Sequence, residues 1–530
     1  MSIEPYYEAP FDNAVARSVS DKLADFVTPN DFGAIGDNTT DDTVALQRAL
    51  DSGRHVMIVG RHVISAPLQV TTSGQRIFGA TGAGYMAYAS IRFPTSDDTQ
   101  AVFHVRSSGV VFDGLVIRGN PGNTAGWSQD LEVTGSMIIS ANQDPAYSST
   151  GQNNGDVDLT ITNCSLGNAK TLVKVTGRGV RISDCNLVLA VHVLEIDWPT
   201  DFTVGTAYDS ALKSGMRSYV LRDNRIHGCS GGYVVRNIGL QKENLQGLMV
   251  IGNFIDTNIR MFRGVANDSL FSDNVMIHVK AAGTVFSVEG GDSIQIASNT
   301  IYGMDDNGLN PAEKETHREI VSGISLSNAT NVSITGNQFK RVLRDVLVVA
   351  TGVRNVSFCR NVMTNIGIDN GDATVSPFVS RFGVRIVGSL DGLIAEGNIV
   401  DTPVRSIANP PFVGVVSGGS LSNWIIQNNI LPTQMAAHDL STSMRADVVD
   451  TSRAVTAYDG DGVTSQSITL RFAPVAVLVT IATGTNRGRT MAVSAMSGAG
   501  ADLVEISGRT VIVKGDWNVS GTTYTLIALT

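Results

Sequence analysis

The chain has 530 residues, a net charge of -10, 42% hydrophobic and 6% aromatic residues, 17% charged residues and 54 glycines. That balance excludes a disordered chain and a coiled coil. It also argues against nucleic acid as a partner, because phosphate binding needs a surplus of Lys and Arg on some face and no basic run is present. What remains is a β-rich, turn-rich chain large enough for several domains.

Met1 to Pro5 lacks the charged-then-apolar pattern of a secretory signal, and the longest apolar stretch, Ala473 to Ala482, is too short to cross a bilayer. Synthesis in a cytoplasm and no membrane partner are therefore expected. Cys164, Cys185, Cys229 and Cys359 show no CxxC or zinc-type spacing, and His192, His227 and His278 are isolated. Neither a disulfide framework, a metal nor a cofactor is expected.

In chain order, the first pattern is Val15, Val19, Leu23 and Phe26, a helical spacing that predicts an amphipathic helix over 12–25. A second, short helix is predicted after Thr40, with Thr40 as N-cap, Asp41 and Asp42 opposing the dipole, and Val44, Ala45, Leu46, Ala49 and Leu50 as its apolar face. Such a helix plugs the open end of a repeat architecture.

From about residue 110 to 431 the chain keeps returning to one phrase: apolar, any, apolar, two polar, usually Asn, any, apolar. The Asn slot is filled by Asn224, Asn253, Asn274, Asn299, Asn337, Asn361, Asn398 and the Asn428-Asn429 pair, with Leu115, Cys164 and Cys185 in earlier slots, giving eleven rungs. Their intervals run from 21 to 49 residues with a recurring floor near 22, the length of one solenoid turn plus loop insertions. Alternate apolar residues on both sides of the slot place two short strands around a bend whose Asn points inward. Asn suits the bend because it tolerates a left-handed backbone and its amide can bond the same position one rung away. Cys164 and Cys185 are then stacked structural thiols. Asp184, Asp223 and Asp273, beside the slot, are turn-formers. A third strand per rung, as in Thr171 to Val175, Val193 to Asp197, Gly283 to Glu289, Gly323 to Ser327 and Gly383 to Val387, makes an all-β parallel β-helix, roughly 50 Å long at about 4.8 Å per rung. Residues 433–455 read as a connector, and alternating runs over 456–530 as a small antiparallel β domain.

The segment Thr28-Pro29-Asn30-Asp31-Phe32-Gly33-Ala34-Ile35-Gly36-Asp37 through Leu50 closely resembles the entry motif of the pectate-lyase-like superfamily, as it occurs in bacteriophage tailspikes. With the preceding helix and the rungs, the likeness spans about 12–431. It implies a right-handed β-helix domain over 28–432, beginning ahead of the first legible repeats, and a homotrimer of parallel rods. It further implies a virion location in the tail, attachment of residues 1–27 to another virion tail or adaptor protein, and contact with a bacterial surface polysaccharide. Eleven leading residues imply a minimal anchor. Asn518-Val519-Ser520-Gly521-Thr522-Thr523-Tyr524 resembles small C-terminal domains of phage tail proteins, which implies trimer registration or carbohydrate binding. The resemblance specifies the fold and leaves the reaction open, because the superfamily includes hydrolases, lyases and epimerases.

Glycan hydrolysis needs two carboxyls about 5 to 9.5 Å apart. In Leu194-Glu195-Ile196-Asp197-Trp198 the apolar residues point inward, so Glu195 and Asp197 project together about 6.5 to 7 Å apart on the outer face. Glu195 is the expected general acid and Asp197 the base or nucleophile, with Trp198 as a sugar-stacking platform. Lys174, Arg236, Arg263 and Glu289 fall on the same face, which suits an anionic glycan. Asp305 and Asp306 in a Gly/Asn loop are second-choice acids, and insertions at 119–135, 199–216, 303–320 and 367–382 are expected to wall a groove. Two rivals stand beside hydrolysis: a lyase, in which Lys174, Arg236 or Arg263 neutralises a uronate or removes its C5 proton, with calcium held on acids as an option, and a receptor-binding spike without turnover.

Overall fold

The computed structural model describes residues 5–23, 25–79, 89–95, 97, 100–120, 137–142, 156–197, 218–237, 245–279, 283–303, 320–340, 342, 345–364, 366, 383–401, 411–416, 418–431 and 436–439, together with seven strands between 454 and 529. The backbone forms two compact units, Met1–Ala446 and Asp447–Thr530.

The first unit is a parallel β-helix. Each strand before a slot pairs in parallel with its counterpart one turn on: Phe112↔Ile161, Ile161↔Ile182, Ile182↔Leu221, Leu221↔Val250, and so on to Ala395↔Ile426. The strands after the slot stack the same way, as in Leu166↔Leu187 and Ile226↔Ile255. Inward positions carry Phe112, Phe271, Phe286, Phe358 and the branched aliphatics, all buried. Phe262, Phe271 and Phe286 form an aromatic stack with centroids 5.0 and 5.5 Å apart, which adds to the burial that closes the interior.

The slot column forms an amide ladder. Each Nδ2 donates to the Oδ1 of the next rung, from Asn224 to Asn253 at 2.9 Å and onward through Asn274, Asn299, Asn337, Asn361 and Asn398 to Asn429 at 2.8 Å. The same Oδ1 accepts the previous rung's backbone N–H, as Asn299 does from Asn274 at 3.1 Å. The ladder continues into the cysteines: Cys185 N–H donates to Asn224 Oδ1 at 3.0 Å, and Cys164 N–H donates to Cys185 Sγ at 3.4 Å. Contact with Cys164 and burial together push the Cys185 thiol well above the usual range, in keeping with a structural thiol.

The left-handed residue is not the Asn itself. It is the residue before, with φ between 51° and 69° at Gly114, Asn163, Asp184, Asp223, Gly252, Asp273, Ser298, Gly336, Arg360, Gly397 and Asn428. Asn is selected by the ladder, and the bend is made one position earlier, mostly by Asp, Gly or Asn, with Ser298 and Arg360 as exceptions. A second left-handed column, including Asp158, Asp268, Ser293, Asn331, Asn355 and Asn423, bends the strand before each slot.

The solenoid begins well before residue 110. Phe26↔His55, Val56↔Ile77 and Phe112↔Ile77 extend it toward the N-terminus. The corresponding slots, one residue ahead of the paired Asp37, Arg61, Ser90 and Val116, are Gly36, Gly60, Ala89 and Leu115. A Cβ on Gly60 would meet Gly36 O at 3.0 Å, so these turns stack backbone on backbone where later turns stack amides.

The capping helix runs Thr43–Asp51, two residues later than predicted: Thr40 lies in the strand Asp37–Asp41, and Asp42 is the N-cap. Ala45, Leu46, Ala49 and Leu50 are buried as expected, while Val44 is exposed. The Asp42 carboxylate turns away from its helix. It accepts Ile35 N–H at 2.8 Å and Gly36 N–H at 2.9 Å and meets His62 Nδ1 at 2.7 Å, fully buried, fastening the entry segment to the first turns. The helix predicted over 12–25 is reduced to Val19–Leu23, because Arg17–Ser18 pairs antiparallel with Tyr6–Tyr7 and Asn13 is left-handed.

The second unit contains two antiparallel sheets. One joins Ala454–Asp459, Thr523–Leu529, Ala476–Ile481 and Thr490–Ser494; the other joins Ser465–Thr469, Thr510–Lys514 and Val504–Ser507.

Candidate functional site

The third strand of each rung carries the charged residues. Its register stacks Ser140↔Lys174, Lys174↔Glu195, Glu195↔Arg236, Arg236↔Arg263 and Arg263↔Ser287, one residue per rung. Leu194 and Ile196 are fully buried, so Glu195 and Asp197 lie on the outer side as the alternation requires. Five positions singled out in the sequence, Lys174, Glu195, Asp197, Arg236 and Arg263, are thus brought together, and Glu289 joins them through Arg263. Trp198, Asp305 and Asp306 lie outside the described residues, as do the four insertions apart from their ends.

Neighbouring cations cover Glu195, leaving it 8% exposed rather than open to water. Lys174 Nζ lies 3.7 Å from Glu195 Oε1 and 2.9 Å from Asp197 Oδ2, so one ammonium bridges both carboxylates. Arg236 Nη1 approaches Glu195 Oε2 at 3.7 Å from the next rung. Burial of Lys174 works against its charge. The hydrogen bond that Lys174 donates to Asp197 and the charges of Asp197 and Glu195 outweigh that burial and hold its pKa above the ordinary lysine value. Arg263 Nε donates to Glu289 Oε1 at 2.8 Å, and this bond raises the Arg263 pKa further.

A second polar column lies three residues earlier on the same strands: Thr171↔His192, His192↔Tyr233 and Tyr233↔Arg260. Between the two columns each rung buries two consecutive residues, Leu172-Val173, Val193-Leu194, Val234-Val235 and Met261-Phe262. Strict alternation forbids that in a straight strand, so the strand bends there and the outer face resumes three residues on. His192, Tyr233 and Arg260 do not stand out in the sequence, where the histidine reads as isolated. The constant offset of three from Glu195, Arg236 and Arg263 is the signal that would have found them.

His192 stacks on Tyr233 with rings 6.1 Å apart and 7° from parallel. Arg236 Nη1 reaches its Nε2 at 3.3 Å, and the Tyr233 N–H reaches its Nδ1 at 3.3 Å. Both neighbours are donors and a neutral imidazole has one acceptor nitrogen, so only one contact is a hydrogen bond at a time and a second ring proton has no acceptor. Burial first, then the charges of Arg236, Lys170 and Arg260, lower the His192 pKa to about 3. Arg260 lies over the Tyr233 ring at 4.4 Å, with Nη1 donating to Tyr233 Oη at 2.7 Å and Nη2 to Gly231 O at 2.6 Å. Farther along the helix, buried Asp345 accepts a bond from Arg385 at 3.3 Å, continuing the polar band.

No family model matches this sequence, and no curated protein matches it either. Solved structures do resemble its fold. The tailspike protein of E. coli bacteriophage HK620, in a variant complexed with a hexasaccharide, superimposes with a TM-score of 0.57 at 11% identity, over 99% of this chain and 96% of that one. A pentasaccharide complex of the same tailspike gives 0.57 at 12% identity over 99% and 97%. The A-module of an Azotobacter vinelandii mannuronan C-5 epimerase gives 0.44 at 15% identity over 77% and 100%. The chain therefore has the right-handed parallel β-helix fold found in phage tailspikes.

Proposed function

We propose that this chain is a phage tailspike-type depolymerase that binds a bacterial surface polysaccharide (capsule, exopolysaccharide or O-antigen) along the charged columns and hydrolyses its glycosidic bonds at Glu195 and Asp197. The observation that carries this reading is the pair of carboxylates bridged by Lys174 on the outer wall of the β-helix, within a polar band that repeats once per rung. The HK620 tailspike, which has the same fold, was solved with oligosaccharide bound.

The roles proposed are those expected from the sequence, Glu195 as general acid and Asp197 as base or nucleophile. Lys174 bridges the two carboxylates, Arg236 approaches Glu195 from the next rung, and the Asp197 side chain is 30% exposed, within reach of water and sugar. Elimination finds less support at these residues, because Lys174 is held as an ammonium and Arg263 is pushed up by Glu289, so neither is poised to take a C5 proton.

Further parts of the proposal follow the tailspike likeness. Three copies assemble in parallel, residues 1–27 attach to a virion tail protein, and 456–530 serve trimer registration or carbohydrate binding. Tyr6, Tyr7, Phe11 and Val15 are 72%, 45%, 77% and 80% exposed, which supports a covering partner at the N-terminal end.

The test is incubation with surface polysaccharides of candidate hosts, followed by chain length, reducing ends and absorbance near 230 nm. Reducing ends without that band, falling about 100- to 10,000-fold in Glu195→Gln or Asp197→Asn, are expected. A rising band would assign a lyase, and retention without shortening a receptor-binding spike.

A further inference from the structure

The third-strand segments of the site rungs, 169–176, 190–197, 229–237, 257–265 and 283–289, carry Lys170, Lys174, Arg236, Arg260 and Arg263 against Glu195, Asp197 and Glu289. The chain's net charge is -10, yet one of these cations has only neutral partners. Lys174 and Arg236 are matched by Glu195 and Asp197, and Arg263 by Glu289. Arg260 instead bonds two neutral oxygens, Tyr233 Oη and Gly231 O, and no described carboxylate pairs with it. Tyr233 and Gly231 take one hydrogen each from Nη1 and Nη2 of Arg260, which leaves the second hydrogen on each nitrogen to meet a ligand, while its Nε is buried.

Tyr233 and Gly231 fix the Arg260 guanidinium in place while leaving its charge uncompensated. A fixed, planar cation with unused donors is preorganised for a planar anion, and its rotamer entropy is already spent in the free protein. The neutral state of His192 is compatible with this: burial first, and then the charges of Arg236, Lys170 and Arg260, disfavour a further positive charge there.

We infer that the glycan bound at this site carries a carboxylate, as a uronate-type sugar does, and that Arg260 with Arg236 beside it receives that group one to two rungs from the Glu195–Asp197 pair. This rests on the glycan-groove reading above and narrows it to acidic polysaccharides.

The test uses the full chain and a panel of immobilised bacterial capsular and O-antigen polysaccharides, half neutral and half carboxylate-bearing. The polysaccharides retained are expected to be acidic ones. Converting their carboxyl groups to alcohols with carbodiimide and borohydride should weaken retention at least tenfold. Arg260→Gln should weaken retention of the native polymer by a similar factor while leaving the residual affinity for the reduced polymer unchanged, and Arg260→Lys should restore part of it. Unchanged melting of both variants separates recognition from folding. Retention of neutral polymers as tight as of acidic ones, failure to retain any acidic polymer, or affinity unmoved by carboxyl reduction would overturn the inference. A neutral polymer that is retained and shortened would leave the depolymerase reading standing; charge-dependent retention without shortening would do the reverse.

Discussion

Removing a single rung of the amide ladder tests what holds the solenoid together. Asn299 is 1% exposed. Its Oδ1 accepts Asn274 N–H at 3.1 Å and Asn274 Nδ2 at 2.9 Å, and its own Nδ2 donates to Phe271 O at 2.9 Å and Asn337 Oδ1 at 3.0 Å. In Asn299→Ala both Asn274 donors lose this acceptor where water cannot replace it. At roughly 1 to 3 kcal/mol per orphaned donor, the expected destabilisation is about 4 kcal/mol, before any cavity contribution. Asn299→Asp keeps the shape but sets a carboxylate oxygen against two acceptors. It should be worse still at pH 7 and recover on acidification. A carboxyl favoured neutral in the fold has its pKa above the unfolded value near 4, so its stability is present below that value and lost as pH rises through the folded one. Gln338→Ala, on the outer face one residue after a slot, should stay within about 0.5 kcal/mol. Urea unfolding followed by far-ultraviolet circular dichroism reads all three. A loss below about 1 kcal/mol for Asn299→Ala, or an Asn299→Asp protein as stable at pH 7 as the parent, would refute the ladder as a source of stability.

Cys164, Cys185 and Cys229 are buried, and burial pushes the Cys229 thiol to about 12, so a thiol reagent at pH 8 should label one cysteine per native chain, Cys359, and four after denaturation. Asp42→Ala removes the acceptor of Ile35 N–H, Gly36 N–H and His62 at once and should cost about 3 to 5 kcal/mol, read as a lowered unfolding midpoint. With His192 lowered to about 3, the unfolded chain binds a proton there that the folded one does not; its contribution to stability is complete above about pH 6.5 and lost as pH falls toward 3, and His192→Gln should flatten that part of the pH dependence.

The parts legible in the sequence are those where one physical requirement repeats. The eight amide slots from Asn224 to Asn429 were readable because a buried amide that bonds its own copy can be replaced by few residues, and the outward placement of Glu195 followed from the period of two between Leu194 and Ile196. The first turns were not legible, since Gly36, Gly60 and Ala89 stack where an amide would not fit and leave no recurring letter. The helix predicted over 12–25 is shortened to Val19–Leu23 because the pairing of Arg17–Ser18 with Tyr6–Tyr7 took precedence over the local apolar spacing. The second polar column escaped because a bend that buries two neighbours in a row changes the strand's face without changing its composition.

The most direct measurement is a crystal structure of the Glu195→Gln, Asp197→Asn double variant with an oligosaccharide from a polysaccharide that the parent protein binds. The account predicts sugar density lying across successive rungs from Lys174 to Arg263, with a glycosidic oxygen within hydrogen-bond reach of residue 195 or 197. Sugar bound on another face of the solenoid, or confined to residues 456–530, would contradict it.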